Sequence, residues 1–356
     1  MQHLKRLSFF LVLAVGLPAA GNAQTMAQLG NKGREFYNKK KFDSAIVYLS
    51  AAIKQNAKVP NLYFLRGNAK EELKRFDEAI EDYTAALRLD PKDAITYCNR
   101  GSAHNDLKHY EQAIADYSEA IKYDPKLTAA YLNRGSAHDD LKQYQEALKD
   151  YDAAIALDPK NAKAYNNRGI TRIKLKQFEE AIEDYTAAIK LDPKYARAYD
   201  NRGTAKNELK QHEEAIKDYD VALLLDPKNA KAYDNRGRAK DDLKKHMEAI
   251  DDYNAALKLD PENAKAYNNR GISKIQLKQY KEAITDFQES IKRDRKNPIP
   301  FNNAGYAYYK LNNCKKAIEN YDLAVKIGGP DYTPHHEYRK EAAKKCGGAK
   351  SAAKKE

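Results

Sequence analysis

Tryptophan is absent from this 356-residue chain, and cysteine and methionine occur only three times each. Cys98, Cys314 and Cys346 are too few and too far apart for a small disulfide-knit domain, and they lack the close spacing of zinc-ligating pairs. Long apolar runs are missing after the first residues: Leu7–Leu17 is apolar over 11 residues, whereas a spanning helix takes about 20. Glycine-rich phosphate loops, nucleophile elbows and zinc-protease motifs do not occur. The histidines follow a register instead of a ligand set: His104 and His138, and likewise His212 and His246, are 34 residues apart, and the adjacent His335 and His336 have no Cys or carboxylate set at ligand spacing. These absences exclude a recognisable metal site, cofactor site or catalytic centre, and the expectation is a non-enzymatic protein.

What is present begins with charge. The balance is +12 with 63 Lys+Arg against 51 Asp+Glu, a sign that suits nucleic acid or anionic surfaces. The excess is concentrated at the ends, however: residues 332–356 hold seven basic and three acidic side chains, and Lys5 and Arg6 precede the apolar run. A basic start, a short apolar stretch and small residues at Gly21 and Ala23 make residues 1–23 a cleavable export signal. The expected location is therefore the periplasm or exterior of a bacterium, which makes nucleic acid an unsuitable partner, and no transmembrane segment is expected in the mature chain.

Between the ends the chain repeats itself every 34 residues without an insertion. Nine units start at Met26, Pro60, Ala94, Thr128, Ala162, Ala196, Ala230, Ala264 and Pro298, the last ending at Asp331. A fixed period of this size marks a solenoid. In the fifth unit Phe178, Ala181, Ile182, Tyr185, Ala188 and Ile189 lie at helical spacing; Asn161 caps an earlier helix that closes near Lys176–Gln177, and Asp192–Pro193 breaks the chain before the next unit. Each unit is thus a helical hairpin. After it, Thr333–Pro334 opens a capping helix expected over 332–346, and 347–356 reads as a mobile basic tail.

The eighth position is Gly in all nine units, from Gly33 to Gly305, and the twentieth is always Ala, from Ala45 to Ala317. With Tyr or Phe common at the fourth position, an aromatic or His at the seventeenth and Pro at the thirty-second, residues 26–331 resemble the tetratricopeptide repeat family. Tyr stands where that family often has Trp, and Arg precedes the Gly where it often has Leu. The resemblance implies an all-α, right-handed solenoid whose first helices line a concave groove, and a protein that binds other proteins.

Two polar ladders run through the repeat. Arg66, Arg100, Arg134, Arg168, Arg202, Arg236 and Arg270 are each followed 16 residues later by Asp, and the first and last units lose both members together. That joint loss reads as pairing between packed helices, within a unit or to its neighbour, in preference to an anion site. The second ladder is Asn at the sixth position: Asn31, Asn99, Asn133, Asn167, Asn201, Asn235, Asn269 and Asn303, with Leu65 in the second unit. A similar ladder lines the tetratricopeptide superhelix of O-GlcNAc transferase, where the amides grip an extended peptide. The resemblance implies the same here; the alternative is that each Asn bonds to the next hairpin and fixes the repeat geometry.

By the same analogy the second, fifth, ninth, twelfth and thirteenth positions face the groove. Asp139, Asp140, Asp241 and Asp242 belong to an acidic strip there, while Ile272, Ile275, Tyr306 and Tyr309 form an apolar and aromatic patch near the carboxyl end. A protein or extended peptide with basic and apolar residues is the matching partner. Cys98 occupies a fifth position, and Cys314 and Cys346 fall where the last hairpin and the cap can meet, which makes them candidates for a disulfide after export. The Lys and Asn set of the family's chaperone-tail clamp is not found in any unit. The competing functions are a structural subunit of an envelope assembly docked by its convex face or ends, and an accessory subunit presenting substrate to a separate enzyme.

Overall fold

The computed structural model describes residues 24–329 and 336–352, with side chains for 24–329 and 337–345. The expected leader 1–23, the opening of the cap and the side chain of Cys346 lie outside the described residues. All regular structure among the described residues is helical, in two units, Met1–Leu157 and Asp158–Glu356. The first unit holds four hairpins: α1 (Met26–Asn38) with α2 (Phe42–Gln55), α3 (Pro60–Glu72) with α4 (Phe76–Leu89), α5 (Ala94–Asp106) with α6 (Tyr110–Tyr123), and α7 (Thr128–Asp140) with α8 (Tyr144–Leu157). The second holds five: α9 (Ala162–Lys174) with α10 (Phe178–Leu191), α11 (Ala196–Glu208) with α12 (His212–Leu225), α13 (Ala230–Asp242) with α14 (His246–Leu259), α15 (Ala264–Gln276) with α16 (Tyr280–Arg293), and α17 (Pro298–Lys310) with α18 (Cys314–Gly328). It ends with α19 (His336–Ala352), which packs on α17 and α18. This last helix corrects the expectation that the chain is irregular from 347. Lys, Ala and Ser carry it onward, and each of its two glycines costs only about 1 kcal/mol relative to Ala.

The hairpin is built by local rules repeated with little change. The Asn161 side chain accepts from Ala164 N at 3.2 Å and starts α9. Helix α9 then ends in a Schellman turn, with Lys176 N donating to Ile173 O and Gln177 N to Arg172 O, each at 2.9 Å. The turn puts Lys176 at φ 60°, and among the described residues eight lysines and Asn312 occupy this left-handed position. Asp192 accepts from Lys194 N at 3.0 Å in the Asp-Pro-Lys turn that leads to the next hairpin.

The invariant glycine is a slot for a ring. A Cβ added at Gly169 would lie 2.7 Å from Tyr185 Cε1, and the same clash recurs between Gly203 and Tyr219 and between Gly237 and Tyr253. Phe287 fills the slot at Gly271, and Leu49 fills it at Gly33. Tyr185 is buried by this fit, and the invariant alanines, fully buried, let the paired helices close on it.

The Arg–Asp ladder lies beside that slot. Arg202 grips both oxygens of Asp218, Nε at 2.9 Å and Nη2 at 2.7 Å, and its Nη1 reaches back to Thr186 Oγ1 of the preceding hairpin at 3.1 Å. Arg66 and Arg100 do the same to Ser50 and Thr84, and Arg236 and Arg270 to Asp220 and Asn254. Each guanidinium lies over the fourth-position Tyr, as Arg202 does over Tyr199 at 5.6 Å. A second cation completes the set: Lys206 Nζ is 2.7 Å from Asp218, and Lys70, Arg172, Lys240 and Lys274 stand likewise. A carboxylate this buried, such as Asp218 at 6% side-chain exposure, is tolerable because cations engage both of its oxygens. The ladder therefore pairs within a hairpin and also clasps its predecessor.

Candidate peptide-binding face

Within each unit the first helices touch their next-but-one neighbours, α1 to α3, α3 to α5, α5 to α7, and α9 to α11 onward to α17. The second helices make no such contacts among the described residues, so the odd-numbered helices form the inner, concave layer. The groove positions are therefore those of the odd helices.

The asparagine ladder is engaged between hairpins. Asn201 donates to Asn166 Oδ1 at 3.1 Å, Asn235 to Asp200 Oδ1 at 3.1 Å, Asn269 to Asp234 Oδ1 at 3.2 Å and Asn303 to Asn268 Oδ1 at 3.0 Å. Each acceptor is the fifth residue of the preceding hairpin. Asn99 follows a hairpin with Phe64 at that position and donates instead to Asn68 at 3.0 Å. Asn167 accepts from Asn166 at 3.4 Å. The fifth position is consequently an interface and not open groove, which corrects its assignment to the specificity set: Asn166, Asp200 and Cys98 are buried. Burial pushes the Cys98 thiol up to about 11, far from the reactive thiolate range.

The acids divide into two kinds. Asp241 accepts from Tyr253 Oη at 2.9 Å and Ser273 Oγ at 2.6 Å, and faces His246 Nδ1 at 2.9 Å. Glu71 likewise accepts from Tyr83 Oη at 2.5 Å, and burial holds its carboxyl above the usual range despite that bond. These twelfth-position acids, with half-buried Asp139, serve the tyrosines in the glycine slots. The thirteenth-position residues Asp140 and Asp242 are exposed; Asp242 lies 3.7 Å from His212.

The carboxyl-terminal patch converges. Ile272, Ile275, Asn303 and Tyr306 line a cleft of about 420 Å³ together with Gln276, Lys278, Tyr280, Phe287 and, from α19, Tyr338. Tyr306 meets Tyr338 edge-on at 5.0 Å. Tyr309 turns to α19 instead: its hydroxyl donates to Glu341 at 2.6 Å, and that bond raises its pKa. Sequence reasoning missed Tyr280 and Phe287, which sit on a second helix, and Tyr338, which lies beyond the repeat. Cys314 is a buried free thiol, and its expected partner lies outside the described side chains. Among the described residues no group of three or more His, Cys, Asp or Glu side chains is placed to hold a metal ion, and no helix is long and apolar enough to cross a membrane.

Family models described as tetratricopeptide repeat match residues 60–93, 94–127, 128–161, 162–195, 196–229 and 264–297, and one described as TPR repeat matches 242–274. Among solved structures, the chain is similar to the APC/C hetero-tetramer Cut9–Hcn1, at 18% identity and TM-score 0.57 over 79% of this chain and 55% of that one. It is also similar to pilF of Pseudomonas aeruginosa, at 19% identity and TM-score 0.52 over 58% of this chain and 93% of that one. MamA is 30% identical, with TM-score 0.44 over 48% of this chain and 94% of that one. The chain thus spans 55% of the Cut9–Hcn1 chain that it matches. A search of curated proteins finds no match. At these identities the structural likeness speaks for the fold alone, an all-helical repeat scaffold; the repeat family that the models match is one of protein–protein interaction scaffolds.

Proposed function

Because the chain belongs to the tetratricopeptide repeat family, we propose that it is an exported, non-enzymatic adaptor that holds an extended polypeptide along the inner face of its hairpins. The observation that carries this reading is the cleft on the last two hairpins, where Ile272 stands open on the concave layer beside half-buried Ile275 and Tyr306. Ile272 is 36% exposed in a helix that otherwise packs its apolar side chains away. Exposed Asp140 and Asp242 add sites for basic residues of the same kind of partner. The asparagine ladder is not needed for this reading, since the amides of Asn99, Asn201, Asn235, Asn269 and Asn303 donate to the preceding hairpin. Export rests on the leader composition of residues 1–23.

A second reading, docking by the convex face as part of an envelope assembly, draws on Leu224 and Met247, which are 81% and 60% exposed on second helices. The test is capture of partners from envelope extract by the mature chain, comparing wild type with Ile272→Ser/Tyr306→Ala and with Leu224→Ser/Met247→Ser, all checked for helicity. Loss of a specific partner by the first variant alone supports the groove; loss by the second alone transfers the function to the convex face. Mass analysis of protein from its native compartment tests export, and retention of residues 1–23 in the cytoplasm would refute it.

A further inference from the structure

The cleft at the carboxyl end has a charge that the strip of exposed acids does not share. None of its described lining residues is acidic. Lys278 is exposed at its mouth, and exposed Lys310 holds its ammonium 5.1 Å over the Tyr306 ring and 5.9 Å over Tyr338, two of the walls. The nearby carboxylates are already occupied. Asp286 lies between Arg270 and Lys274, each within 2.7 Å, and Glu341 accepts the Tyr309 hydroxyl. Tyr306 in turn raises the affinity of Lys310 for its proton, so the cation stays charged. An apolar pocket walled by rings, with ammonium groups at its mouth and no unengaged carboxylate described among its walls, is complementary to an apolar anchor carried between negative charges.

Resting on the groove reading above, we propose that this cleft takes an aromatic or long aliphatic side chain from an acidic stretch of the partner, with carboxylates beside the anchor meeting Lys278 and Lys310. The rings bury the anchor and the lysines fix the sign of its neighbours. The cleft is thus the place where the bound segment changes from basic to acidic.

The probe is a short fluorescein-labelled peptide with one Phe flanked by Asp and Glu, compared with the same peptide carrying Ala for Phe and with a version flanked by Lys. Anisotropy titrations use the full mature chain, its Ile272→Ser, Lys278→Glu and Lys310→Glu variants, and Leu224→Ser as a surface control. The acid-flanked Phe peptide is expected to bind about tenfold tighter than either comparison peptide, and the three cleft variants to weaken it by about tenfold while the control does not. Because all four substituted residues are exposed, helicity and melting verify folding without confounding the result. Equal or tighter binding of the Lys-flanked peptide, lost with Ile272→Ser, overturns the charge assignment and leaves the groove reading standing. Acid-flanked binding that no cleft variant alters places the peptide elsewhere and overturns the inference. So does an absence of binding by all three peptides, whereas the groove reading itself is judged by the partner-capture comparison.

Discussion

The seven interior hairpins and the two at the ends solve the same packing problem with different chemistry. Interior hairpins set a buried Asp between an Arg and a second basic side chain, a Lys or Arg except for His in α5 and α7. In the first hairpin the corresponding residues are Lys32, Phe36 and Tyr48, and the rings stack at 5.1 Å with the Lys ammonium over Tyr48. In the ninth they are Ala304, Tyr308 and Asn320; the Tyr308 hydroxyl accepts from Gln288 at 3.3 Å, taking the place of the Arg that would reach the preceding hairpin. The ion set is thus a device of the interior hairpins, and other side chains, aromatic ones among them, take its place at the two ends.

The largest effect expected from breaking this contrast is at Asp218. Changing it to Ala strands Arg202 and Lys206 and should destabilise the chain by about 3 kcal/mol, whereas Asn320→Ala should cost under about 1 kcal/mol. Urea unfolding of the two variants checks the difference. Installing the first hairpin's set as Arg202→Lys/Lys206→Phe/Asp218→Tyr should recover most of the loss, since apolar replacement of a buried ion set is often neutral.

Next in size is the ring slot. Gly203→Ala drives a methyl into the flat, fully packed Tyr219 ring and should cost about 1–2 kcal/mol even after the gain in helix propensity. At Gly33 the obstacle is the fully buried Leu49, whose Cγ stands at 2.6 Å and backbone N at 3.3 Å, and the same change should cost at least as much; thermal melts of both variants provide the comparison. A smaller effect follows from His104. Burial lowers its pKa below 6.5 in the folded chain, despite Asp116. It is indifferent at higher pH and destabilising once pH falls below about 6.5, where the unfolded chain takes the proton first. Melts from pH 8 to pH 5 should therefore fall less for His104→Lys, which copies the cation of other hairpins, than for wild type; equal slopes would remove His104 from the account.

The smallest effect is at the helix ends. Lys176 is held at φ 60°, and Lys176→Gly should stabilise by about 0.5–1 kcal/mol. Asn312→Gly in the last hairpin should gain less, because Asn already tolerates that conformation. Both changes are read from melting temperature.

The repeat boundaries, the need for glycine and the Arg–Asp pairing are legible in the sequence because each leaves a periodic trace, and the end units expose the pairing by losing both members at once. The second basic residue leaves the same trace: Lys70, His104, His138, Arg172, Lys206, Lys240 and Lys274 stand in the seven Asp units, against Phe36 and Tyr308 at the ends. It was there to be found. The partners of the asparagines were not, since Asn201 and Asn166 are 35 residues apart and the acceptor alternates between Asn and Asp. The cleft was half legible: its isoleucines and Tyr306 share a helix face in the repeat register, but Tyr338 comes from outside the repeat and no periodicity announces it.

The clasps between hairpins also have a direction. Arg202 donates to Thr186, Asn235 to Asp200, Ser273 to Asp241 and Arg339 to Asp322, each donor later in the chain than its acceptor, while at the last hairpin Gln288 to Tyr308 and Tyr309 to Glu341 run the other way. A hairpin leaving the ribosome therefore finds its acceptors already made, and those that wait for a successor are mostly oxygens, which water satisfies readily. The polarity of these bonds gives an otherwise uniform array a beginning, so that assembly can follow synthesis from the amino end one hairpin at a time.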